Sequence, residues 1–199
     1  MPLGPLVCQH WGALLAGNAA VICCFAIFYM ATAYALAQGT GGQGAVVHYR
    51  REAFLGVQLA ANAFLALGIV VAAVWSDRAS PERVLAWGAV AAVALGLGFG
   101  AGLGFGSLWA VFGTLGAALF IMGLVYGPLG GWLPHLFPVA LRYSGISIAF
   151  SAGGIVGGAV TPILATHMAA GGHAAWVGLL ISAAGLVSLL GVLAGKRVS

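Results

Sequence analysis

Charge is what this sequence has least of. Its 199 residues include seven Lys and Arg and three Asp and Glu, so 5% are charged, against about 25% in a soluble domain. That excludes a solvated protein surface, and with 62% apolar residues and a mean hydropathy of +1.10 lipid must be the solvent. The basic residues are two pairs and three singletons. This excludes the clustered patch that nucleic acid needs. Cysteine is nearly absent as well: Cys8, Cys23 and Cys24 lack metal-ligand spacing, and neighbours 23 and 24 point to different sides of a helix. They are read as small apolar side chains, and no metal or cofactor is expected. Residues 1–49 contain no charged side chain, so the basic start of a cleavable signal peptide is missing.

What remains is long apolar sequence. A helix crossing a membrane needs about 20 apolar residues, and charges are costly inside it. Charge-free runs therefore bound the spans. Residues 1–49 hold one span, 53–76 one, 84–141 two and 143–195 two. The expected class is an all-α polytopic membrane protein with six spans, near 13–37, 53–75, 84–104, 108–130, 144–168 and 174–195. Residues 1–12 and 196–199 form short ends. The glycine-rich "GLGFGAGLGFGS" and the Gly171–Gly172 pair split the double runs. With no preceding strand and no acidic partner, the glycine run is read as a helix end making close contacts rather than as a nucleotide loop. One side carries Arg78, Arg83, Arg142, Lys196 and Arg197, the other Arg50 and Arg51. The positive-inside rule then places both termini in the cytoplasm. Pro134 and Pro138 stop the fourth span before Arg142, since proline lacks an N–H and clashes with the preceding turn.

No Asp, Glu, Lys or Arg falls in a predicted span, so this chain offers no proton relay of its own. Uncharged polar groups do fall there: Asn18, Tyr29, Tyr34, Gln58, Asn62, Tyr126, Ser147, Ser151 and His167. A buried amide is costly unless paired, and Gln58 and Asn62, four apart, share a helix face. They either bond a solute or tie helices together. Tyr29, Gln58, Asn62, Tyr126 and Ser151 are the candidates for a solute cavity. Gly153, Gly154, Gly157 and Gly158 read as a surface for close helix packing. An intramembrane serine protease would pair Ser144 or Ser147 with His167. It would need the two in hydrogen-bond reach, yet the spans put them near opposite faces, so no enzyme is expected. A non-transporting six-helix scaffold is the other alternative.

Three stretches carry a resemblance. "YGPLGGWLPHLFPVALRYSGISIAFSAGGIVGGAVTPILATHM", 126–168, resembles the major facilitator superfamily, in its metabolite:H+ symporter branch of shikimate, α-ketoglutarate and proline/betaine permeases. "AVWSDRASPERVLAWG", 73–88, is similar to the superfamily's loop signature G-x-x-x-D-R-x-G-R-R. Asp77 and Arg78 match it. The glycines are replaced by Ala73 and Ser80, and the basic pair by Pro81 and Glu82, with Arg83 just after. "HWGALLAG", 10–17, looks like the entry to the family's seventh helix. The resemblance implies the C-terminal half of a twelve-helix transporter, built as two inverted three-helix repeats. It implies alternating-access transport of a small organic acid or zwitterion, proton-coupled in the full assembly, in the bacterial inner membrane. Asp77, Arg78, Arg83 and Arg142 would be gating charges at the cytoplasmic ends. His135 stands where the family usually has Glu, which weakens that latch. The expected partners are the lipid bilayer, the solute and a second six-helix half, either a separate chain or a second copy. The chain is accordingly expected to be a half or a fragment of a longer permease.

Overall fold

The computed structural model describes residues 6, 8–41 and 48–196. Six helices in it are long and apolar enough to cross a membrane. They are α1 (Trp11–Gly39), α2 (Arg51–Arg78), α3 (Pro81–Gly104), α4 (Leu108–Trp132), α5 (Arg142–Ala170) and α6 (Leu179–Gly195). The α2–α3 turn is short because Pro81 sits at the first turn of α3, where its missing N–H costs nothing. The turns after α3 and α5 pass through Gly106 and Gly172, whose positive φ angles of 75° and 82° suit a residue with no Cβ. Two short 3-10 turns, Leu133–Leu136 and Val139–Leu141, join α4 to α5. Arg142 is thus the first residue of the α-helical part of α5.

The packing repeats after three helices. α1 lies along α5 as α4 lies along α2, and α1 packs on α6 as α4 packs on α3. α1 with α4 and α3 with α6 complete the set. This is the pairing two inverted repeats require. Small residues create it, since lipid gives helices no hydrophobic reason to associate and close backbone approach supplies the attraction. Gly68 of α2 meets the backbone of Phe120 and Gly123 on α4. Gly157 of α5 likewise meets Ile22 and Ala26 on α1. The glycine run of α3 is helical through Gly104, and its Gly96 receives Gly178, just before α6, and Ser182 of α6. Serine hydroxyls stitch the same contacts. Ser188 donates to the Ala19 carbonyl at 2.7 Å and accepts the Cys23 N–H at 3.1 Å. Ser182 donates to the Val93 carbonyl at 2.8 Å.

Both peripheral helices, α2 and α5, turn large apolar side chains outward, including Leu59, Leu67, Val70, Ile155 and Ile163. Exposed aromatic residues gather near both ends of the bundle. Trp11, Trp87 and Tyr143 stand at the end carrying Arg78, Arg83, Arg142 and Lys196, while Phe105, Trp109 and Trp176 stand at the other. Such belts mark the two water interfaces of a spanning protein. We call these the basic end and the opposite end. Residues 42–47 of the first loop, and Arg197 of the basic cluster, lie outside the described residues.

Candidate functional site

Two helices are not regular along their length. α1 widens to a π-helix at Met30–Tyr34, and α5 at Val156–Val160. In α5 the cause is Pro162, at the start of the next α-helical segment. It supplies no N–H to the preceding turn, and the Thr161 hydroxyl bonds the Val156 carbonyl at 3.3 Å. α1 has no proline there. Its widened turn is met by Gln58 of α2, which bonds two of its carbonyls. The Gln58 amide nitrogen donates to the Ala31 carbonyl at 2.8 Å and to the Thr32 carbonyl at 2.9 Å. Gln58 is 8% exposed, so both of its N–H groups are committed within the protein. Asn62 donates to the Gln58 backbone carbonyl at 2.9 Å. Single-turn π segments of this kind are frequent at functional sites.

Between the two irregular helices runs an open groove of about 540 Å³. Tyr29 and Ser151, singled out from the sequence, both line it. Phe25 and Phe150 form one wall in an edge-to-face pair with centroids 6.2 Å apart. Gly154 and Gly158 form the floor, and Gly158 lies directly under the Tyr29 ring. The groove therefore offers two hydroxyls among aromatic and glycine surfaces. Such a surface suits a small solute with a polar group and an apolar body. Tyr126 is 43% exposed on α4 and does not line this groove. Gln58 and Asn62 do not line it either. The sequence signal for the groove was partly present, since Phe25 and Tyr29 are four apart on one helix face, but the aromatic wall was not named in advance.

At the basic end, Asp77, Arg78 and Arg83 are exposed and Arg142 is half-buried. Among the described residues the ion pair formed is Arg50 with Glu52, at 3.2 Å on the opposite end, so Asp77 and Arg142 are not bridged within this chain. The Nε of Arg142 is buried without a hydrogen-bond partner, and so is the Ser76 hydroxyl one residue before Asp77. Ser147 and His167 lie 20 residues apart on α5, about 30 Å at 1.5 Å per residue. That distance rules out a dyad between them, and more so between Ser144 and His167. Among the described residues no three His, Cys, Asp or Glu side chains cluster so as to hold a metal ion.

No family model and no solved structure matches the chain significantly. Curated relatives do. A Haemophilus influenzae protein named for metabolite transport is 26% identical over 203 residues, covering 98% of this chain and 46% of its own length. The inner membrane metabolite transport protein YhjE of Escherichia coli is 27% identical, over 97% of this chain and 44% of its own. The shikimate transporter of Escherichia coli is 28% identical, over 90% and 41%. The chain thus spans a little under half the length of the curated relatives it matches. The resemblance carried by Asp77–Arg78 and by residues 126–168 is borne out: over nearly its whole length this six-helix membrane protein is similar to metabolite transport proteins.

Proposed function

We propose that this chain is one six-helix half of a secondary transporter for a small organic acid or zwitterion. One observation carries the reading. Similarity to proteins named for metabolite transport runs along nearly the whole chain, yet reaches less than half of each of them. A second half, from another chain or another copy, would close over the α1–α5 groove and cover the apolar faces of α2 and α5. The solute would then sit near the bilayer midplane between halves, with the Tyr29 and Ser151 hydroxyls as its hydrogen-bonding groups on this side. Rocking of the halves would expose it to each face in turn. Proton coupling belongs to the assembly, because Glu52, Asp77 and Glu82, the carboxylates of the Asp and Glu side chains, stand in the end turns of α2 and α3 and none lies at mid-span. The basic end faces the cytoplasm, and the protein resides in the bacterial inner membrane, as the name of YhjE says of that relative. There Asp77, Arg78, Arg83 and Arg142 meet charges of the second half, and the unpartnered Arg142 Nε supports such a role. His135, exposed at that end, takes no place in this pairing.

The test is uptake of labelled small acids, shikimate among them, into cells expressing the chain alone and together with a six-helix partner half. Uptake is expected only where a complete pair of halves forms. It should fall about fivefold in Tyr29→Phe or Ser151→Ala, the worth of one hydrogen bond. Absence of solute-dependent uptake in every pairing, with the chain present in the membrane, would overturn the reading.

A further inference from the structure

A second cavity lies at the opposite end, away from the α1–α5 groove. It encloses about 240 Å³, somewhat below the roughly 300–1,000 Å³ usual for drug-sized ligands. Its walls come from four helices or their ends: Tyr34 and Gln38 of α1, Phe54 of α2, Gly104 of α3, and Ala174 and Val177 before α6. Tyr34 is the last residue of the π segment in α1. The inserted residue turns the remainder of α1 relative to its first half, and so sets where Tyr34 falls. Tyr34 is 3% exposed as a whole, and its hydroxyl, which has no hydrogen-bond partner among the described residues, is not one of the buried unpaired groups and so stays accessible on the cavity wall. Tyr49, whose ring packs at 6.3 Å on Phe54, has a buried and unpartnered hydroxyl. A buried unpaired phenol such as that of Tyr49 is unusual in a folded protein, but Tyr49 does not itself line the cavity, so the Tyr34 hydroxyl is the polar group the cavity offers.

From this geometry we infer a binding site for a small uncharged alcohol or phenol, seated on Tyr34 with its apolar body against Phe54 and Val177. Charge decides the class. Among the described residues no Asp, Glu, Lys or Arg lines the cavity, so a charged ligand would lie buried without a counter-charge. α1 and α3 end beside it, at Gly39 and Gly104, and the carbonyl ends of helices disfavour anions further. A solute carboxylate is therefore the wrong occupant, and the site does not depend on the transport reading.

The experiment places the full chain in lipid nanodiscs and follows 4-fluorobenzyl alcohol by fluorine NMR, with empty nanodiscs correcting for partition into lipid. Saturable binding is expected, displaced by benzyl alcohol and not by benzoate. Tyr34→Phe keeps the ring and removes the hydroxyl, and should weaken binding about fivefold. Gly104→Leu should weaken it as well, because Gly104 lines the cavity and a larger side chain there narrows it. Signals equal to those of empty nanodiscs would mean that water alone occupies the cavity, and would overturn the proposal. Binding unchanged in both variants, with parental helicity by circular dichroism, would overturn it too. Should a variant fail to fold, the parent decides: displacement by benzoate as strong as by benzyl alcohol would sink the assignment.

Discussion

Gln58 illustrates what a single polar side chain does in an apolar bundle. Its amide donates to two carbonyls of the π segment of α1. A leucine there would remove both of these bonds between α2 and α1, at a cost of about 1–3 kcal/mol. Asn62 makes its bond to its own helix and is only half-buried, so Asn62→Leu removes no tie between helices. Thermal unfolding in detergent should therefore show a clear drop in Tm for Gln58→Leu and little change for Asn62→Leu. Equal drops would mean that the tie to α1 contributes nothing particular. The same residue shows where sequence reasoning stops. Four-residue spacing puts Gln58 and Asn62 on one face, but it leaves open whether that face meets a solute or a helix. The answer depends on an irregularity in α1, 26 residues away, that has no proline to announce it. Tyr29 and Ser151 were visible as polar groups in apolar spans. That they share a groove follows from how α1 and α5 pack.

At the scale of elements, the six helices were legible because charge is so scarce that each charged residue marks a helix end. The α5 irregularity had a visible cause in Pro162, and Gly153, Gly157 and Gly158 forecast close packing of α5. The partner of each helix was not legible, since glycine shows that something comes close without showing what. Gly68 and Gly56 make the distinction testable on a single helix. A Cβ at Gly68 would run into the backbone of Phe120 and Gly123 on α4, whereas one at Gly56 meets nothing within 4 Å. Overpacking a tight contact costs about 1–3 kcal/mol. Gly68→Val should destabilise the bundle by that amount, and Gly56→Val should leave its Tm within a degree or two. If Gly68→Val melts with the parent, the α2–α4 contact is looser than described here.

The whole molecule leaves two things open to its surroundings: which end faces the cytoplasm, and what covers α2 and α5. For the first, the proposed orientation rests on charge, with Arg78, Arg83, Arg142 and Lys196 at one end against Arg50 and Arg51 at the other. In a Cys8→Ser background, where Cys23 and Cys24 are buried, Ser80→Cys should react with an impermeant maleimide only in inverted vesicles. Phe105→Cys, at a position 77% exposed on the opposite end, should react only in intact cells; the reverse pattern would invert the topology. The second turns on the outward faces. Leu59 is 75% exposed on α2, and a lone bundle would leave it to lipid. Two halves joined across α2 and α5 would instead bring a second protein surface against it. Leu59→Cys, in the same background and oxidised in native membranes, should then yield a disulfide-linked pair. The pair would be with a second copy of the chain, or with a cysteine placed on the facing helix of a co-expressed partner half. A chain that stays monomeric with every partner and at neighbouring positions on that face would show that lipid covers it. The two-half transporter would fall with that result, leaving a six-helix scaffold.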